Sequence, residues 1–290
     1  MHPRRRFTLP LLGGRTLELG ARTLVMGVIN VTPDSFSDGG VFLDPTLAVE
    51  AGMQMVADGA DLLDVGGEST RPGAQALDAA EERKRVLPVI ERLAAKVTVP
   101  ISIDTYKASI AKAALEAGAT MVNDISGLRY EPELAQVVAR ARAPIILMHT
   151  RGRSKDMYKQ AVYGEVVDEV LVELRESIAF AAGAGIAKDA VLVDPGLGFA
   201  KEPVHSYEVL GRLGEFSDLG RPLVVGPSRK GFLTRALPRE ISATERDWPT
   251  AAAVTAAVMA GAHIVRVHAV REMVSVVRVA DEIRKYHREH

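Results

Sequence analysis

Residues 24–40 read Leu24-Val25-Met26-Gly27-Val28-Ile29-Asn30-Val31-Thr32-Pro33-Asp34-Ser35-Phe36-Ser37-Asp38-Gly39-Gly40. The first half is a short apolar run without alternation, rich in β-branched residues, and it ends on the Asn30 amide. Such a run predicts a strand buried on both faces. From Thr32 the character changes to Thr, Pro, Asp, Ser and Gly, which cannot continue a strand. A buried strand that delivers an amide into a polar loop is how a barrel or an α/β sheet builds a ligand site. The plainer reading is an ordinary βα connection. This loop, however, is longer than the roughly 2–6 residues usual there, which favours function.

Reading outward, the same unit repeats. Downstream lie a helix over 45–59, a strand over 60–66, a helix over 79–96 that contains Pro88, and a strand over 99–104. A helix over 107–117, a strand over 119–124, a helix over 132–142 and a strand over 144–149 follow. Then come a helix over 164–182, a strand over 190–194, a helix near 206–212 and a strand over 222–226. A helix over 250–260, a strand over 262–267 and a helix over 270–287 close the chain. Apolar strands alternating with helices imply a parallel sheet covered by helices, and about eight such units favour closure into a (β/α)8 TIM barrel. Three helix-to-strand junctions share the spelling Gly-Ala, at 59–60, 118–119 and 261–262, where the glycine suits a left-handed helix end. Upstream, residues 7–9 and 15–19 flank a Gly13-Gly14 turn and predict a short β-hairpin. The expected organisation is an N-terminal hairpin extension over 1–23 and one barrel domain over 24–290.

Composition narrows the function classes. The chain has 290 residues, is 47% hydrophobic and 25% charged, and carries a formal net charge of −1. That balance gives no electrostatic reason to expect nucleic acid or an acidic membrane as partner. It has no cysteine, which excludes disulfides and thiolate metal sites and fits a reducing cytoplasm. The apolar run at 7–12 is interrupted too soon for a signal peptide core, and no segment approaches the ~20 apolar residues of a membrane span.

In a barrel the chemistry lies at the C-terminal strand ends. Those ends present Asn30, Asp64, Asp104, Asn123 with Asp124, His149, Asp194, Ser228 to Lys230, and Arg266 with His268. Arg266 and His268 are two apart on a strand and so share the barrel-mouth face. Arg266 reads either as a rim salt bridge or, with His268 and Asn30 beside it, as an anion site. Asp104, Asn123 and Asp194 read as helix caps one at a time. Together they suit a heterocycle with several N–H donors, or general acid–base work. Asp124 reads as a cap. Lys230 lies on a basic turn, where it either bridges substrate groups or is solvated. Met148 and Phe199 read as pocket lining or as core, and Thr70 with Arg71 as a lid or as plain exposed loop. No His-x-x-x-His array occurs, which argues against a tightly held zinc and leaves room for a Mg2+ brought by a phosphate.

These residues also spell a family. The segments 30–40 and 64–73 (Asp-Val-Gly-Gly-Glu-Ser-Thr-Arg-Pro-Gly) strongly resemble dihydropteroate synthase. So do Ser102-Ile103-Asp104-Thr105, Asn123-Asp124-Ile125-Ser126-Gly127, 194–199, Ser228-Arg229-Lys230-Gly231-Phe232 and Arg266-Val267-His268. The resemblance implies a (β/α)8 enzyme that joins 6-hydroxymethyl-7,8-dihydropterin pyrophosphate to p-aminobenzoate, giving 7,8-dihydropteroate and pyrophosphate. It implies that Asp104, Asn123, Asp194 and Lys230, with Ile125, Met148 and Phe199 around them, hold the pterin. By the same resemblance Asn30, Arg266 and His268 hold the pyrophosphate and its Mg2+. Thr70, Arg71 and Ser228 form the p-aminobenzoate side, and the loop bearing Asp34 closes over it. The implied chemistry is dissociative, with pyrophosphate leaving before the aniline nitrogen attacks, and Asp34, Lys230, Arg266 and His268 form the implied catalytic set. A homodimer through helices late in the chain is also implied.

Three positions depart from the family pattern. His268 is followed by Ala269 rather than Asp, residues 150–153 read Thr-Arg-Gly-Arg where Met-Gln-Gly is usual, and Trp248-Pro249-Thr250 replaces Gly-Thr. The rivals are a methyltetrahydrofolate-dependent corrinoid methyltransferase, which needs no pyrophosphate site, and a catalytically silent pterin-binding paralogue, which should have lost some of these residues. A sugar-phosphate aldolase would want its lysine on a strand, whereas Lys230 is on a loop.

Overall fold

The structure, a computed structural model, describes residues 4–32, 44–71, 73–239 and 241–286. Asp34 and most of the loop after the first barrel strand lie outside the described residues. Two strands, β1 (Phe7–Pro10) and β2 (Thr16–Leu19), form an antiparallel hairpin. Eight parallel strands follow: β3 (Leu24–Asn30), β4 (Leu62–Gly66), β5 (Ile101–Asp104), β6 (Met121–Asp124), β7 (Ile145–Met148), β8 (Val191–Asp194), β9 (Val224–Val225) and β10 (Ile264–Val267). Their order is β8-β7-β6-β5-β4-β3-β10-β9, and a parallel bridge between Val193 and Leu223 joins the two ends. Between the strands run α1 (Pro45–Ala57), α2 (Ala79–Ala94), α3 (Ala108–Glu116), α4 (Leu134–Ala141), α5 (Val166–Gly183), α6 (Pro203–Gly211) and α7 (Asp247–Met259), and α8 (Val270–Lys285) follows the last strand. This is the expected (β/α)8 barrel with its N-terminal hairpin.

Alternation along each strand sorts side chains into two separate cores. Val25, Ile29, Leu63, Val65, Ile103, Val122, Leu147, Val193 and Val265 point outward and pack against the helices. Met26, Leu62, Met121, Ile146, Leu192, Val224 and Ile264 point inward and form a small inner core, which Leu9, Leu11 and Leu19 of the hairpin region complete. The hairpin therefore closes the floor of the barrel with leucine. One step up the same inward rows, the residues turn polar: Asp64, Asp104, Asn123, Asp194 and Arg266. The parity that buries leucine and methionine below places acids, an amide and a guanidinium above.

Local chemistry fixes the element ends. Asp44 caps α1 by accepting from the Thr46 N–H at 2.8 Å, and Pro45 occupies the first turn, where its missing N–H is harmless. Gly59, Gly118 and Gly261 take φ of 102°, 113° and 101°. The following alanines donate back five residues, to Met55, Ala114 and Ala257, so each junction closes its helix and starts a strand in one turn. Three elements differ most from the sequence expectation: β9, α7, and α6, which begins at Pro203 instead of near 206. β9 is only two residues long, because Pro222 has no N–H and the Leu223 N–H donates to His263 Nδ1 at 3.0 Å instead of to a neighbouring strand. α7 begins at Asp247, three residues before the expected start, because Pro249 falls inside a first turn that has no use for its N–H. Among the described residues no helix is long and apolar enough to cross a membrane.

Candidate active site

The polar upper layer opens into a recess at the C-terminal mouth, lined by Thr70, Asp104, Asn123, Ile125, Met148, Asp194, Phe199, Lys230 and Arg266 together with Gly196, Leu197 and Gly226. Arg266 organises it. Its Nε donates to Asp64 Oδ2 at 2.6 Å and its terminal nitrogen to Asp104 Oδ2 at 2.7 Å. Asn123 Nδ2 donates to the same Asp64 oxygen at 3.0 Å. Asp64 is fully buried and thus fixes both the guanidinium and the amide. Burial works against the Arg266 charge, but Asp64 and Asp104 outweigh it and keep the group protonated. Burial also pushes the Asp104 carboxyl up, even with Arg266 opposing it.

Asp194 Oδ1 accepts from the Gly196 N–H at 2.7 Å. Burial raises this carboxyl to about 6 against the pull of that bond and of Lys230. Gly196 has φ of 70°, and a Cβ there would collide with the His149 carbonyl, so the turn that presents Asp194 requires glycine. Lys230 is half-buried, and its Nζ lies 3.7 Å from the centre of the Phe199 ring. Burial, with Arg266 adding to it, lowers Lys230 to about 7. Met148, Ile125 and Phe199 form one small apolar cluster with Tyr106. The recess therefore combines two carboxylates, an amide and an amine with apolar side walls, which suits a flat ring with polar edges.

The other predicted residues stand around this recess. Ser228 Oγ shares a 2.8 Å hydrogen bond with His268 Nδ1 and accepts from the His268 backbone N–H at 3.1 Å. Burial and the cations Arg266, Arg229 and Lys230 lower His268 to about 3, so its imidazole is neutral. Asn30 ends β3 half-buried, in register with Gly66. Arg71 is exposed on the β4–α2 loop, one residue beyond Thr70. Asp124 is not the helix cap expected: it closes the turn after β6, accepting from the Ser126 and Leu128 N–H groups, while α4 starts only at Leu134.

Sequence reading missed the supports. Lys107 pairs with both Glu68 and Glu82, and the Tyr106 hydroxyl donates to Glu68 at 3.1 Å, tying the loop that carries Thr70 to the start of α3. Lys201 is buried behind the β8–α6 loop. Asp64 was visible as a strand-end acid, and strand parity marks it as inward-facing. Lys107 and Lys201 left no such signal, because Glu68, Glu82 and His149, which hold them, lie on other elements far away in sequence. The basic residues at 151 and 153 are held by other side chains and do not line the recess. Arg151 donates to Glu173 and Glu169 and stacks 4.1 Å from the Tyr163 ring, and Arg153 lies 4.4 Å from the Tyr130 ring.

Fold and recess together define a barrel enzyme that seats a flat polar ring beside an arginine at a one-sided mouth. Residues 26–268 match the model of the pterin binding enzyme family. Dihydropteroate synthase of Synechocystis sp. is 44% identical over 278 residues, covering 96% of each chain. The structure of Xanthomonas albilineans dihydropteroate synthase with 4-aminobenzoic acid matches with a TM-score of 0.88 at 42% identity, covering 98% of both chains. The same species' enzyme in complex with 7,8-dihydropteroate matches with a TM-score of 0.84 at 39% identity, covering 95% of this chain and 98% of that one. This chain belongs to the pterin-binding enzymes and, among them, to the dihydropteroate synthases.

Proposed function

We infer that the chain joins the pterin of 6-hydroxymethyl-7,8-dihydropterin pyrophosphate to p-aminobenzoate, forming 7,8-dihydropteroate and releasing pyrophosphate in folate synthesis. The observation that carries this is the recess in which Asp104, Asn123, Asp194 and Lys230 converge beside Arg266. Asp104 and Asp194 accept from the N–H edge of the pterin, Asn123 and Lys230 meet its remaining polar atoms, and Met148 and Phe199 cover its faces. The bonds from Arg266 to Asp64 and Asp104 hold the guanidinium at the rim, where the rest of its edge serves pyrophosphate oxygens. Negative charge that builds on the leaving group is stabilised there. His268, held by Ser228, is a neutral hydrogen-bonding group for the same leaving group. Thr70, Arg71 and Ser228 form the p-aminobenzoate side, and Asp34 belongs to the same catalytic set by the family resemblance. The nitrogen of p-aminobenzoate then attacks the pterin methylene carbon, so no covalent protein intermediate is needed.

Mg2+ fits this arrangement in one way. Among the described residues no three His, Cys, Asp or Glu side chains gather as a metal cage. The donor at the mouth is the Asn30 amide, and a single neutral oxygen suits an ion that keeps most of its water and phosphate ligands. Asn30 would hold that ion, which when bound supplies charge neutralisation for the departing pyrophosphate.

The test is pyrophosphate release from the dihydropterin pyrophosphate with Mg2+, with and without p-aminobenzoate. Release coupled to dihydropteroate, and reduced at least ~100-fold in Lys230→Ala and Arg266→Ala, is the expected result. Pterin binding without pyrophosphate release would sink the enzyme reading in favour of the silent paralogue. A homodimer belongs to the same reading: Val279, Ile283 and Tyr286 of the α8 region are 60%, 52% and 78% exposed, and their spacing sets them along one stripe. Location in the cytoplasm, supported by the cysteine-free sequence, is checked by cell fractionation.

A further inference from the structure

The β8–α6 loop forms one wall of the recess, and it does not hold its shape unaided. Gly196, Gly198 and Ala200 all have left-handed φ, of 70°, 75° and 46°. For alanine that conformation is unfavourable, because its Cβ crowds the following carbonyl. The front of the loop carries Asp194 and the Phe199 ring that covers Lys230. At its back is Lys201, whose side chain is wholly buried. Lys201 Nζ donates to the Phe199 carbonyl at 3.2 Å and lies 2.8 Å from His149 Nδ1. With Nδ1 accepting from the lysine, the imidazole proton sits on Nε2 and faces Glu173 Oε2 at 3.2 Å. Glu173 also accepts from Arg151 at 2.8 Å and Arg129 at 2.6 Å. Lys201 thus donates both ways, to the recess wall and to His149, and the imidazole passes the direction on to a carboxylate on α5. Burial, with the Lys201 charge next, lowers His149 to about 3, so the imidazole stays neutral and keeps that direction.

We propose that Lys201 is a positioning residue for the pterin pocket, fixing the Phe199 wall through the Phe199 carbonyl and His149 and supplying positive charge behind Asp194. This rests on the pterin reading of the recess. Asp194 faces Lys230 and Arg266 across the recess and Lys201 from behind. Lys201 in turn faces Asp194, Glu173, Arg151 and Lys230, with His149 in direct contact. Burial lowers Lys201 to about 7, while Asp194 stands near 6. In the acid range where Asp194 titrates, Lys201 is therefore cationic and opposes protonation of that carboxylate, while Asp104, the other acceptor for the pterin, is raised by burial to about 7 and titrates in the same window whether or not the lysine is present. Removing the lysine moves the loss of pterin binding to higher pH.

The experiment measures the dissociation constant of pterin-6-carboxylate by fluorescence quenching from pH 5 to 8, in wild type, Lys201→Met and Lys201→Gln. Lys201→Met removes donor and charge. Its expected effects are ~10-fold weaker binding at pH 8 and an acid limb moved up by roughly half to one pH unit. Lys201→Gln keeps a donor for the Phe199 carbonyl without the charge. It is expected to recover most of the affinity at pH 8 and to keep the displaced limb, and it carries the test alone if the methionine chain does not fold. A purely structural lysine would weaken binding and leave the limb in place, and that result overturns the proposal, as does wild-type behaviour of both variants. A wild-type chain that binds no pterin overturns the pterin reading itself, and the proposal with it.

Discussion

Asp194 sits on the wall of the recess with one oxygen held by the Gly196 N–H at 2.7 Å and its carboxyl raised by burial to about 6. An acid whose folded value lies above its unfolded one binds more protons when folded, so between about 4 and 6 its contribution to stability falls as pH rises. Above pH 6 the full cost is present; below pH 4 it vanishes. Asp194→Asn removes this titration. The variant is expected to be more stable than wild type, by an amount on the order of 1 kcal/mol larger at pH 8 than at pH 5, while losing pterin affinity. Urea melts at the two pH values check it, and a gain that does not grow with pH would refute the assignment. Asp104, Asn123 and Asp194 were legible in the sequence because strand-end position and parity place them without any knowledge of distant contacts, and Lys230 because its basic turn follows the seventh barrel strand directly. Lys201 was not, since its role depends on how a loop with three left-handed residues folds back onto β7.

Between residue and whole molecule, the β4–α2 loop shows how an active-site loop is anchored. Lys107 pairs with Glu68 of that loop and with Glu82 of α2, all three largely buried. The Gly73 N–H reaches the Ser154 carbonyl on the neighbouring β7–α5 loop at 2.9 Å. Burial opposes the Lys107 charge, but the two glutamates outweigh it and hold the ammonium protonated. Lys107→Met would leave two carboxylates close together without their cation, at an expected cost of ~3–5 kcal/mol by equilibrium denaturation. It would also raise KM for p-aminobenzoate more than for the pterin substrate, since Thr70 and Arg71 ride on that loop; equal changes in both constants would contradict the anchoring role. Most element boundaries were readable from apolar runs and Gly-Ala junctions. β9 was not, because His263, an ordinary-looking histidine in the sequence, takes the Leu223 N–H that a longer strand would have used.

At the scale of the whole molecule, the barrel was legible from the count of units and the hairpin from its Gly-Gly turn, but the surface was not. Periodicity does not say which apolar residues of α8 stay exposed. Val279, Ile283 and Tyr286 do, and Trp248 at the start of α7 is 86% exposed. Ile283→Glu is expected to convert a sedimenting dimer into a monomer; a wild-type chain that already sediments as a monomer would refute the interface.

The leucines of the hairpin have one more consequence. Leu9, Leu11 and Leu19 stop the lower end of the barrel with packed side chains, so among the described residues what remains is a well closed at its floor. Traffic through such a well is last in, first out. Whatever rests against Asp194 and Lys230 arrives before the partner that covers it, and it departs only after that partner has gone or has become part of the same molecule.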